Sequence, residues 1–505
     1  MPNSNKSISY PSHTRPWKRT EKKNGRTVLR FGRPTARFNP FYANDTTAYR
    51  PEMWAQESVR VLVESMVFGA TVHRDFNNEV ATFGEKIHTR KPAEFEGRRK
   101  QNDLDNLTTQ DATATKIEVE LNQRVYVSFV IGDGEKSKSF MDLFNIYLVP
   151  AMQADARFLD RCLAVQAYQF LGNTAGGLGL LTKSNSHDYL LDAREVMNDN
   201  KVGQQNRWLA LASRSETEMQ KTEMFKKANE VGDGGTALEN AILGRKAGWN
   251  TFLELNTPSV RGATTSGATT TAAAYAAGVS TIAMATGGVA AAGIAPGDYI
   301  TVAGDMTPLR VLTVSTDTVT LNRPLRENVA SGAAVTAYEN ALVNQGSAIA
   351  AGDTTAAVSD GYPAGWMKGI AYDGTGVPKV GQLCAFKTSG GTVATAEYGI
   401  VNVSGSEIWL DRPLEVAVDD NALIHLGPSG DYNFGYQREA LTLVNRPLEL
   451  PESGTGARAA LAIFNNMALR VVMTYDGVSQ GTRVTIDSLF GHKVLDTNRG
   501  VVLLG

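Results

Sequence analysis

Between Ile117 and Ile131 almost every odd position is apolar: Ile117, Val119, Leu121, Val125, Val127, Phe129 and Ile131. The even positions include Glu118, Glu120, Asn122, Arg124 and Ser128. Side chains on a strand alternate between two faces, so a period of two marks extended chain with one face on apolar surface. The run persists for about 15 residues, roughly 50 Å of strand, where about 5–6 residues is usual. Its expected partner lies upstream, at residues 85–95, where Ile87 and Thr89 alternate with charged residues. A polar tip from Glu96 to Thr113 joins the two and carries Arg98, Arg99, Lys100, Asp103, Asp105 and Asp111. Two readings stay open: a ribbon lying on another subunit, since a lone hairpin is poorly stable, or a sheet edge inside a compact domain.

After the ribbon the period becomes helical. Phe140, Leu143, Phe144 and Tyr147 begin a stripe that Met152, Ala156, Leu159, Leu163, Ala167 and Phe170 continue past Pro150, where a kink is expected. From Ser137 to Gly172 this predicts a spine about 50 Å long at 1.5 Å per residue. A second amphipathic helix is expected from Pro51, with Glu52 in its first turn and Ala55, Val59, Leu62, Met66 and Ala70 along one face. Further on, helices are predicted around residues 189–198 and 216–228, with a strand at 208–212.

At Arg261 the composition changes abruptly: residues 262–297 carry no charge until Asp298. Short alternating strands follow to about Pro428. Within them Val311–Leu325 aligns without gaps on Ile400–Leu414, matching Val314-Ser315 with Val403-Ser404 and Arg323-Pro324-Leu325 with Arg412-Pro413-Leu414. Each copy reads as a hairpin and a proline turn, so an all-β segment of two related modules is expected. After Tyr432 the earlier character returns.

Residues 1–37 hold ten basic residues against Glu21 alone, a surplus of +9 that leaves −11 on the rest of a chain whose total is −2. With several prolines and glycines and few aliphatics, this arm cannot bury a core by itself. Phosphate contacts suit its Lys and Arg residues. A clasp on the acidic surface of a neighbouring copy is favoured, because the rest of the chain supplies the acid. The two cysteines, Cys162 and Cys384, are read as core residues in a reducing compartment. No apolar run approaches the roughly 20 residues needed to cross a bilayer, and no secretory signal is visible, so no membrane role and a cytoplasmic site of synthesis are expected.

Catalytic motifs are absent. The six histidines show no ligand spacing, and there is no HExxH or CxxC. Gly176, Gly177 and Gly179, like Gly232, Gly234 and Gly235, lack the strand, helix and Lys-Ser/Thr of a phosphate loop. Ser213 and Ser215 lack the elbow of hydrolases. No enzyme activity, cofactor or metal is expected.

The segments Arg50–Glu57, His73–Phe76 and Phe83–Pro92, then Phe434–Leu441, Arg446-Pro447-Leu448, Val472–Asp476 and Asp487–Gly491, resemble the major coat proteins of tailed double-stranded-DNA bacteriophages. The resemblance implies an α+β fold of the Hong Kong 97-like capsid type, of the subgroup with a β-barrel insertion domain. Its parts would be a basic N-terminal arm (1–50), an N-terminal helix (51–75), an extended β-hairpin loop (76–136) and a peripheral domain with the spine helix and the start of the axial domain (137–260). An all-β insertion domain (261–431) and the remaining axial and peripheral chain (432–505) would complete it. It implies self-assembly into hexamers and pentamers of an icosahedral virion shell, with scaffolding, portal and decoration proteins as partners and packaged DNA held non-specifically. Inter-subunit contact is expected of Arg15, Lys18, Arg19, Lys22, Lys23, Arg26, Arg30, Arg33, Arg37, Trp54, Arg98, Arg99, Lys100, Asp103 and Asp105. The competing readings are an encapsulin-like shell around enzyme cargo and a carbohydrate-binding surface protein with Trp366, Tyr372 and Trp409 as stacking aromatics.

Overall fold

The computed structural model describes residues 18–23, 26–31, 51–74, 84–91, 97, 99–100, 109, 115–134, 143–223, 243–349, 369–387, 393–452, 456–478 and 480–505. Its contacts group the chain into two units, Met1–Arg50 and Pro51–Gly505. Within the first, β1 (Lys18–Lys23) and β2 (Arg26–Phe31) form an antiparallel hairpin.

The second unit is mixed α and β, mostly sheet. It opens with α1 (Pro51–Ser65), which buries Trp54, Ala55, Ser58, Val59 and Leu62, the face that the periodicity marks. A hairpin of β3 (Lys86–Lys91) and β4 (Thr115–Glu120) follows, and then β5 (Gln123–Gly132). The run expected as one long strand is therefore two. It breaks at Leu121-Asn122, where Leu121 exchanges backbone hydrogen bonds with Gly84 and Glu85. Below the break β4 pairs with β3; above it β5 pairs with a different strand, β27. Both halves keep the same alternation because each has one face on apolar side chains.

The long helix is continuous but changes pitch. A π turn (Phe144–Leu148) leads into α2 (Val149–Ala164), which passes into a 3-10 segment (Val165–Phe170). Pro150 sits in the first turn of α2. It comes just after the π turn, at a position where a residue with no N–H to donate is tolerated.

Then come β6 (Thr174–Gly176), α3 (Ser186–Asp199), β7 (Arg207–Leu211), α4 (Ser213–Lys221), β8 (Arg245–Lys246), β9 (Trp249–Leu253) and β10 (Ser259–Val260). Module one holds β11 (Thr265–Thr270), β12 (Thr281–Ala283), α5 (Gly288–Ala291), β13 (Tyr299–Val302), β14 (Leu309–Ser315), β15 (Thr318–Leu321) and β16 (Ala334–Tyr338). Module two holds β17 (Asn340–Val343), β18 (Ile370–Asp373), β19 (Leu383–Phe386), β20 (Tyr398–Ser404), β21 (Glu407–Leu410) and β22 (Leu423–Leu426). The chain ends with β23 (Gly430–Gln437), β24 (Leu441–Arg446), β25 (Arg458–Phe464), β26 (Met467–Asp476), β27 (Gly481–Val494) and β28 (Gly500–Leu504).

Two sheets organise the part outside the modules. One is centred on the 14-residue β27. β5 lies along one side of it, while β26 and β24 share the other side end to end. At the handover Asn445 Oδ1 accepts from Ala468 N at 2.6 Å. β25 continues beyond β26. Helices α1 and α2 pack together, and α1 lies on β25 and β26. The second sheet runs β6-β28-β23-β7-β9-β8, with β10 on β23. One face buries Leu190, Ala193, Met197 and Trp249, and aromatic pairing joins Phe434 and Tyr436 of β23 to Phe68 and joins Phe434 to Phe170.

The two modules share one plan. Module two is a closed barrel whose order, read from its first strand, is 1-6-3-4-5-2; module one has the same order. Module one leaves its first and second strands joined only by the bridge Thr271–Met284, and α5 packs on β11 beside that seam. The repeated segments occupy the same hairpin in both. Each has a bulge at the same place, Val311/Thr313 and Ile400/Asn402. Each turns through a left-handed residue at the same place, Thr316 (φ 54) and Gly405 (φ 62). The side chain closing the hairpin is also equivalent: Asn322 Oδ1 accepts from Arg310 N, and Asp411 Oδ1 from Gly399 N, both at 2.9 Å. Each module has its own apolar core.

Candidate functional site: assembly surfaces

In the arm, the hairpin register sets Arg19 opposite Arg30, Lys23 opposite Arg26, Lys22 opposite Thr27 and Lys18 opposite Phe31. Like charges directly opposite one another weaken a strand pair. Arg15, Arg33 and Arg37 lie outside the described residues, as do Arg98, Asp103 and Asp105 of the ribbon tip.

The ribbon base is anchored by an apolar face, with Ile87, Val119 and Leu121 against Val444 and Leu489. On its other face Glu118 receives Lys116 at 2.9 Å, with His88 at 3.6 Å and Lys86 at 3.7 Å. The hydrogen bond from Lys116 holds the Glu118 carboxyl below its usual range. Lys86, His88 and Lys116 are exposed and Glu118 is half-buried, so these pairs add little stability to the isolated chain. Arg99 and Lys100 are exposed as well.

Trp54, expected at an inter-subunit contact, lies within the chain's own packing. It is 1% exposed, with its ring 6.3 Å from that of Phe129, which stacks in turn on Tyr147 at 5.6 Å. A tryptophan at this position of α1 falls on the helix face that docks on the sheet, so it fastens the chain to itself.

The apolar groups that do face outward were not singled out from the sequence. Among them, Tyr126 (60% exposed) and Val130 lie on β5, Ile463 (50%) and Phe464 on β25, Tyr475 near the end of β26 and Val478 (97%) in the turn after it; others, such as Ile146, Leu255 and Val377, are scattered elsewhere. Their alternation or turn position is visible in the sequence. Which face stays bare depends on the tertiary packing.

A polar junction that sequence reasoning also missed seats module two on the long helix. Gln166 Nε2 donates to Asp411 Oδ2 and lies 2.8 Å from His492 Nε2. Gln123 Nε2 donates to the Asp411 carbonyl at 2.8 Å, and Tyr168 OH donates to the Gly381 carbonyl. Arg412 stands beside Asp411 at 2.8 Å and over the Tyr398 ring. Burial pulls His492 down to about 4, so it is neutral at pH 7. Between the modules, His425 Nδ1 lies 3.0 Å from Asp298 Oδ1, which also accepts from Asn340 Nδ2 at 2.6 Å. Arg323 pairs with Glu397. These buried polar groups have partners at hydrogen-bonding distance and fix orientation.

The chain enters and leaves the modules side by side. β10 pairs with the start of β23, Ser259 opposite Asp431 and Val260 opposite Gly430. The buried Asp431 carboxylate accepts from Ser259 Oγ at 2.7 Å and Ser215 Oγ at 3.0 Å and pairs with Arg261 at 2.7 Å.

Cys162 and Cys384 are both free and buried, and burial pushes their thiols well above the usual range. Among the described residues no cluster of His, Cys, Asp and Glu has metal-binding geometry, and no helix is long and apolar enough to cross a membrane.

No family model matches the chain, and no curated protein matches it. Among solved structures it is similar to one from Mycobacterium phage Che8, with TM-score 0.39, 9% identity, and 87% of this chain and 90% of that chain covered. It is also similar to the capsid structure of the cyanophage P-SCSP1u (TM-score 0.38, 9% identity, 86% and 91% covered). A third similarity is to the asymmetric unit of the bacteriophage PhiM1 mature capsid (TM-score 0.37, 8% identity, 87% and 86% covered).

Proposed function

We propose that this chain is the major capsid protein of a tailed double-stranded-DNA bacteriophage, built on the Hong Kong 97-like plan, and that its activity is assembly. Copies associate as hexamers and pentamers into an icosahedral shell around packaged DNA. The observation that carries this reading is the meeting in space of segments that resemble coat proteins but lie far apart in sequence. Helix α1, which follows directly on Arg50, rests on β25 and β26, and β26 contains Val472–Asp476. Thr71 meets Tyr436 at its hydroxyl, and His73 bridges to Thr442.

The surfaces suit the role. Several exposed apolar groups sit on the edge strands β5 and β25 and around the β26–β27 turn, where a neighbouring copy covers them in an assembly. Single exposed ion pairs contribute only about 0–1 kcal/mol each, so stability of the shell comes from repetition of many contacts. The basic arm adds an electrostatic contact to DNA or to the acidic surface of the next copy, and scaffolding, portal and decoration proteins are the further partners.

Electron microscopy of the purified full chain, alone and with a co-expressed scaffolding partner, tests the reading. Closed shells or ring-like capsomers are expected; a protein that stays monomeric under all these conditions sinks it. Deleting residues 1–37 is expected to impair assembly or lower shell stability, as read by particle yield and thermal release of contents.

A further inference from the structure

Among the described residues, the sheet centred on β27 has two edges that nothing pairs. β5 bonds only to β27, over ten residues in unbroken register, and β25 only to β26, over seven. Natural proteins guard open edges with lysine, proline, bulges or very short strands. Neither strand has a lysine, a proline or a bulge, and each has a single charged residue, Arg124 or Arg458, at its N-terminal end. Both bear bare apolar side chains instead, Tyr126 and Val130 on one and Ile463 and Phe464 on the other. Beside β25 a groove of about 320 Å³ opens towards α1, lined by Val59, Leu461, Ile463 and Phe464 among others, so the helix leaves room along that edge.

The polarity of the two edges matches. Successive strands β5, β27, β26 and β25 are antiparallel at every step. β25 therefore runs opposite to β5, and setting the β25 edge of one copy against the β5 edge of another, without turning the sheet over, makes one more antiparallel step. We propose that this sheet continues from copy to copy, with β5 of one copy pairing antiparallel to β25 of the next. The outward face of the joint sets Tyr126 and Val130 near Leu461 and Ile463 of the neighbour as cross-strand apolar pairs. The contact uses two different surfaces, so it is head-to-tail and closes into a ring when the rotation per copy allows. It rests on the shell reading and names a surface through which a capsomer is built.

The test places one cysteine on each edge, Ser128→Cys on β5 with Ala459→Cys, Leu461→Cys or Ile463→Cys on β25. All four positions share the outward face, and the native Cys162 and Cys384 are buried. Particles of the full chain are oxidised and run on denaturing gels. At one of the three registers, a ladder of covalent oligomers ending at the ring size is expected, with none from either single variant. Assembled particles without a ladder at any register overturn the proposal and leave the shell reading standing. Dimers from Ser128→Cys alone overturn it in favour of a two-fold β5–β5 contact. Failure of the wild-type chain to assemble at all removes the shell reading itself. Where only the variants fail to assemble, hydrogen exchange on wild-type protein decides. Amides of both β5 and β25 gain protection on assembly if the joint exists, and absence of that gain overturns it.

Discussion

Gly399 faces Val165 so closely that a β-carbon on the glycine would stand 2.4 Å from the valine Cβ. This contact seats β20 of module two on the 3-10 segment that ends the long helix. Gly399→Ala is expected to destabilise the chain by about 1–3 kcal/mol through overpacking. Val165→Gly removes the Cβ that the new methyl would meet, so the double variant should be less destabilised than the sum of the two single changes. A double-mutant cycle from denaturant midpoints measures the coupling.

The equivalence of the two hairpin turns makes a reciprocal prediction. Thr316 holds a left-handed conformation that a β-branched residue adopts at a cost, where its counterpart is Gly405. Thr316→Gly is expected to stabilise module one by about 1 kcal/mol, and Gly405→Thr to destabilise module two by a similar amount. Thermal unfolding of the two variants, shifting in opposite directions, checks it.

Asp431 gathers Arg261, Ser259 and Ser215 at the neck. Asp431→Ala is expected to cost about 2–3 kcal/mol, because it removes the acceptor for two hydroxyls and half of a partly exposed ion pair. Tryptic cleavage after Arg261 should then become faster than in the wild type, and an unchanged cleavage rate would sink this account.

Burial, with the Asp487 carboxylate adding to it, pushes Asp155 of α2 up to about 8. Its ordinary value is 3.8, so across the interval between these two values the folded chain holds a proton that the unfolded chain has released. The contribution of Asp155 to stability should therefore fall as pH rises through that window, by at most about 1.4 kcal/mol per pH unit, and level off above it, and buried Asp160, raised to about 7, adds in the same direction. Asp155→Asn should flatten this slope, as read by denaturant midpoints at pH 5 to 9.

The sequence made some of these elements legible and hid others for physical reasons. The face of α1 and the long helix follow from apolar spacing, which is local. The repeated hairpins are equally local, and their matching residues hold the same turn and bulge in space. Barrel closure depends on strands far apart, such as β17 with β22, and no local pattern announces it. The run from Ile117 to Ile131 misled because β4 and β5 alternate in one phase while serving two sheets, and Leu121-Asn122 contains no glycine or proline to mark the change of partner. The junction around Asp411 was hidden for another reason: a buried Gln, Asp or His reads as surface until its partners are known. Trp54 shows the same limit, since whether an aromatic on a helix points inward or towards a neighbour depends on what the helix docks against.

Because β10 and β23 are paired neighbours, the two ends of everything between Val260 and Gly430 lie one strand spacing apart, about 5 Å. To the rest of the chain this excursion is topologically no more than a tight hairpin loop. The neck is thus a natural splice point, where the pair of modules could be excised for a short turn, or exchanged for foreign cargo whose termini lie equally close, without rethreading either sheet.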